Sequence, residues 1–76
     1  MTTLREVPVG ARATVTAVAD QPLRVRMESM GLRPGVEVAV VARAASGSRI
    51  IRVGDARLTL ARELVALIDV ERPDVQ

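Results

Sequence analysis

Cysteine, histidine, lysine and every aromatic side chain are missing from this sequence of 76 residues. Without cysteine there is no disulfide and no thiolate metal site, and without histidine the other common ligand for zinc or ferrous iron is gone as well. Carboxylates alone hold ferrous iron weakly, and none of the nine here is spaced with another at i, i+3 or i, i+4 in a predicted helix. No metal and no cofactor are therefore expected. Ser29, Ser46 and Ser48 have neither histidine nor lysine to activate them, so no nucleophilic triad assembles. Asp55, Glu63, Asp69 and Glu71 fall in predicted turns or strands with no apparent apolar pocket, and read as solvated charge instead of an acid–base pair. Lacking Phe, Tyr and Trp, the chain offers no aromatic groove for proline-rich peptides and no platform for stacking bases. Long apolar stretches are absent too: runs such as residues 38–42 fall far below the roughly 20 residues of a membrane helix. The first six residues carry no charged region followed by an apolar one, so secretion is not indicated and a cytoplasmic location is expected.

What is present is aliphatic. Hydrophobic residues make up 49% of the chain and must fill the interior as Val, Leu, Ile, Ala and Met. Val and Ile favour strands through their restricted χ1 angles, and five glycines and four prolines punctuate them, so a mainly β fold with minor helix is predicted. The length allows one compact domain spanning 1–76, with a core over about 4–71 and a frayed tail at 72–76. All eleven basic residues are arginine, and the net charge is +2. Glu6, Asp20, Glu28, Glu37, Asp55, Glu63 and Asp69 are interleaved with them along the chain, so neither nucleic acid nor another polyanion is an expected partner.

From Ala11 to Val18 polar and apolar residues alternate, which predicts a strand burying Ala13, Val15 and Ala17. Asp20 before Gln21 and Pro22 is a helix start, since Asp caps free amides and an early proline sacrifices no intrahelical bond. Leu23, Met27 and Met30 follow at helical spacing. Gly31 suits the left-handed position that ends a helix, Leu32 supplies the apolar contact of the cap, and Pro34 forbids continuation. Arg33, Pro34, Gly35 and Val36 then read as a type II turn. Val36, Val38 and Val40 alternate in a second strand, Ser46-Gly47-Ser48 loops into a third at 49–53, and Gly54-Asp55 turns into a fourth at 56–60. A helical turn at 61–64 and a fifth strand at 65–70 complete the chain, and five short strands suggest a small closed barrel.

The order of these signals resembles the FeoA domain family from Leu4 to about Glu71. Leu4 and the Val9-Gly10 pair resemble that family's opening leucine and its glycine before the first strand. Residues 23–35 (Leu-Arg-Val-Arg-Met-Glu-Ser-Met-Gly-Leu-Arg-Pro-Gly) resemble its arginine-containing helix ending in Leu-Gly-Leu-x-Pro-Gly, with Met30 in place of the usual leucine. Residues 58–71 resemble its closing strand, helical turn and last Ile-x-Val strand. The resemblance implies an SH3-like five-stranded barrel with a helical insertion after the first strand. It further implies a non-catalytic accessory role beside FeoB, the ferrous iron transporter with a cytoplasmic GTPase domain, and possession of the family's transition-metal label, for which no ligand set is evident here.

For such a role the expected partner surface is the helix and the turn after it: Arg24, Arg26, Met30 and Arg33, with Gly31, Leu32, Pro34 and Gly35 shaping the turn. The blander reading of the same residues places Met27 and Leu32 in the core and pairs Arg24 with Glu28 at i, i+4. An alternative role is a regulatory module like the SH3-like C-terminal domain of iron-dependent repressors. Self-association is left open, and recruitment to the inner face of a membrane would run through the transporter.

Overall fold

The computed structural model describes residues 2–72. Its strands are β1 (Thr2–Thr3), β2 (Arg12–Val18), β3 (Glu37–Arg43), β4 (Arg49–Val53), β5 (Ala56–Leu60) and β6 (Ile68–Glu71). A 3-10 turn covers Leu4–Glu6, and two helices, α1 (Gln21–Ser29) and α2 (Arg62–Val65), interrupt the strands. The six strands form one antiparallel sheet in the order β1-β6-β2-β3-β4-β5, curled around a core drawn from nearly every element. The mainly β, SH3-like reading with a helix inserted after the long first strand stands. Two details differ: Thr2–Thr3 adds a sixth strand against β6, and the ladder ends at β1 and β5 instead of closing.

Two bulges shape the curl. In β2 the register skips between Val15, opposite Val70, and Ala17, opposite Asp69, so Thr16 is extra. In β3 it skips between Val40, opposite Ile51, and Ala42, opposite Ile50, so Val41 is extra. One unpaired residue bends a strand and inverts its alternation downstream. Ala17 is consequently exposed, against the expected alternation, and Val18 takes the buried place. The predicted fifth strand also starts later than expected. The Ala61 carbonyl accepts from the amides of Leu64 and Val65, so Val65 ends α2, fully buried, and the sheet resumes only at Ile68.

Leu4, Val7, Ala13, Val15, Leu23, Met27, Leu32, Val38, Val40, Ile51, Leu60, Val65, Ile68 and Val70 are all buried in one cluster together with Val18. At about 25 cal/mol per Å² of apolar surface this burial is the main favourable contribution, and aliphatic side chains supply all of it. Residues 73–76, most of the tail expected to fray, lie outside the described residues.

Candidate functional site

The surface singled out by sequence is built on α1 and its C-terminal turn. The helix starts where Asp20 Oδ2 accepts from the Leu23 amide at 3.0 Å, with Pro22 in the first turn. Leu23 and Met27 anchor it in the core, four residues apart on one face. It ends in a Schellman cap: Leu32 N donates to the Met27 carbonyl at 2.8 Å and Gly31 N to that of Glu28 at 3.1 Å, with Gly31 at φ +92°. Leu32, fully buried, is the apolar contact of that cap. The next turn closes with Val36 N donating to the Arg33 carbonyl at 3.1 Å and Gly35 at φ +93°, as a type II turn requires. Gly35 N in turn donates to the Val15 carbonyl, which ties the turn to β2.

With one face buried, the rest of α1 is outward. Arg24, Arg26, Met30 and Arg33 are all exposed, Met30 by 39%. They do not form one continuous patch. At roughly 100° per residue, Arg24 and Arg26 lie on opposite flanks of the helix, and Val25 stands between them about 200° from Leu23. Val25 is 62% exposed, more than any other large hydrophobic residue described, and the sequence reading missed it. Its offset from the Leu23 and Met27 stripe was the available signal. Arg26 and Met30, four apart, share a flank, while Arg33 lies beyond the cap. The expected Arg24–Glu28 ion pair does not form: among the described residues the ion pairs are Arg12–Glu37 and Arg62–Glu63. Arg24 and Arg26 flank the exposed Val25, and Arg33 follows beyond the cap, all three without a carboxylate in ion-pair distance among the described residues, and a guanidinium so placed is suited to bidentate contact with acidic groups. Among the described residues no group of three or more potential ligands is gathered to hold a metal ion, and no helix is long and apolar enough to cross a membrane.

Comparison with known proteins places this geometry in a family. The FeoA protein of Chlorobium tepidum superposes with a TM-score of 0.89 at 30% identity, covering 99% of this chain and 73% of that one. Iron(II) transport protein A of Clostridium thermocellum gives 0.85 at 26% identity, covering 95% of this chain but only 46% of that one, so this chain spans about half of that relative. Stenotrophomonas maltophilia FeoA, solved with zinc and described as a prokaryotic SH3 domain protein, gives 0.81 at 27% identity, with coverages of 93% and 91%. A manganese-dependent transcriptional repressor and a metal-dependent transcriptional regulator share the fold over 41% and 36% of their length, at 22% and 19% identity. No curated protein matches the sequence. The FeoA domain model matches residues 2–72, all of the described chain, and the protein belongs to the FeoA domain family.

Proposed function

We propose that this chain is a non-catalytic cytoplasmic accessory of ferrous iron uptake that binds and modulates a FeoB-type transporter by protein–protein contact through the outer face of α1 and its cap. The carrying observation is the outward side of α1: Val25 is exposed between Arg24 and Arg26, Met30 is exposed on the Arg26 flank and Arg33 beyond the cap, and none of the three arginines is in an ion pair among the described residues. A core-anchored helix that leaves Val25 and its flanking cations exposed fits a docking element better than a surface serving stability alone. GTP hydrolysis in such a system would belong to the transporter.

The test is ferrous iron uptake in cells lacking only this chain, with transporter abundance followed in parallel. The intact chain is expected to restore uptake. Arg26→Glu combined with Arg33→Glu is expected to fold normally, because both positions are exposed, and to fail to restore it. Normal uptake without the chain would favour the regulatory reading, for which the fold shared with metal-dependent repressors is the supporting observation. Full activity of the double variant would place the contact on another surface.

A further inference from the structure

At the far end of β4 from the α1 cap, the arginines that are interleaved with carboxylates in sequence are gathered in space. Gly31 of the cap lies near Val53, at one end of this strand, with 3.7 Å between the position of a Cβ and Val53 Cγ1. Arg49 begins the strand, about 13 Å away at a rise of roughly 3.3 Å per residue. There the 3-10 turn, the end of β3, the 44–48 loop and α2 enclose an open concavity of about 690 Å³, lined by Arg5, Arg43, Arg49 and Arg62 with Glu63 as the one carboxylate. Two smaller hollows share its lining. One continues past Arg5, Arg43 and a second carboxylate, Glu6, to Val7, Pro8 and Val9, and the other continues past Arg62 and Glu63 to Ser48 and Ala61.

The charge here is costly as it stands. Arg49 is only 9% exposed and has no carboxylate within ion-pair distance among the described residues. Its guanidinium is held by carbonyls alone: Nη1 donates to Gly47 at 2.8 Å and Nη2 to Arg5 at 3.2 Å. Arg43 sits directly opposite it in the β3–β4 ladder, a like-charge cross-strand pair, which is destabilising. The acidic groups nearby are already engaged, Glu63 with Arg62 at 3.6 Å and Glu6 through Oε2 with the Thr3 amide at 2.7 Å. Gly47, at φ +92°, lets the Arg62 stem pack against the loop, where a Cβ would meet it at 3.1 Å.

We infer that this trough binds an extended acidic peptide segment of a partner protein, its carboxylates neutralising Arg43 and Arg49 and competing with Glu63 for the exposed Arg62. Arg49 is fixed in advance by two backbone carbonyls, so little ordering is needed on binding. The trough far exceeds the size of one small anion and runs from the exposed Val9 at one end to the serines at the other, which suits a chain carrying apolar as well as acidic side chains. This surface is separate from the α1 face and does not depend on the transporter reading.

The experiment uses purified protein and a fluorescein-labelled oligo-glutamate peptide at low salt, with fluorescence anisotropy as readout. Arg43→Glu with Arg62→Glu, both exposed positions, is expected to weaken binding about tenfold or more while leaving the circular dichroism spectrum unchanged. The charge-matched control is Arg52→Glu with Arg57→Glu, cross-strand partners at exposed positions of β4 and β5, and it is expected to bind nearly as well as the parent. No binding by the parent overturns the inference, as does equal loss in both double variants, which would mean diffuse attraction only. Displacement of the peptide by equimolar inorganic phosphate would reassign the trough to a free anion. Stronger, trough-dependent binding to phosphatidylglycerol vesicles would reassign it to a lipid surface.

Discussion

Gly31 shows how much one residue decides. Its left-handed φ of +92° reverses the chain at the end of α1, and the two amides that follow the helix close back onto Met27 and Glu28 only in that conformation. A methyl group there would meet Val53 at ordinary contact distance, so the cost of alanine is conformational and not steric. For an L-residue the left-handed region costs roughly 1–2 kcal/mol. Gly31→Ala is therefore expected to lower the melting temperature, followed by circular dichroism, by about 4–16 °C. An unchanged midpoint would show that the cap contributes nothing to stability. Gly31, Leu32, Pro34 and Gly35 were all legible in the sequence, because each acts on its own backbone or its immediate neighbours. Arg49 was not. Its burial and its contact with Arg5, 44 positions away, are consequences of how the 3-10 turn meets β4, and no local pattern encodes that.

Elements with strong local signals were likewise readable: the start and end of α1, the type II turn, and the Gly54 turn, whose φ of +59° at the first central position joins β4 to β5. The bulges at Thr16 and Val41 were not, since an extra residue is defined by the partner strand and not by its own neighbours. Alternation alone points Ala17 inward and Val18 outward, and the bulge at Thr16 reverses both. The start of β6 was misjudged for a related reason, as Val65 is apolar in either a helix or a strand and only the α2 hydrogen bonds decide between them. Within α1, nine residues are too few for a stable isolated helix, so its order rests on the Leu23 and Met27 anchors and on the Asp20 cap. Asp20→Ala is expected to cost about 1 kcal/mol. Amide hydrogen exchange should show the loss first in α1, with the amides of β2, β3 and β6 still protected at intermediate denaturant. Equal loss of protection throughout the protein would mean that the helix opens only with the sheet.

At the scale of the whole molecule, the absence of cysteine and of aromatic rings puts the burden of core stability on aliphatic packing within the curled sheet. The sheet does not close by strand pairing, and Arg49 reaching from β4 to the Arg5 carbonyl provides one link between the strand next to the β5 edge and the turn after β1. Folding also changes the charge pattern that the sequence suggested. Interleaving along the chain became segregation in space, with the α1 cap near one end of β4, α1 arginines that make no ion pair among the described residues, and the arginine trough at the other end of β4. The core that holds both surfaces in place can be tested with two valines of one strand. Val38 is 1% exposed and faces Ala13 across the β2–β3 ladder, whereas Val41, the extra residue of the bulge, is 36% exposed. An unpaired carboxylate in the interior costs several kcal/mol against a total stability of about 5–15 kcal/mol, and a small domain sits toward the low end of that range. Val38→Asp is therefore expected to abolish the cooperative melt, and Val41→Asp to retain it with a midpoint within a few degrees of the parent. A native melt in Val38→Asp would contradict its placement in the core. Unfolding in both variants would show that the β3 bulge does not expose Val41 in solution.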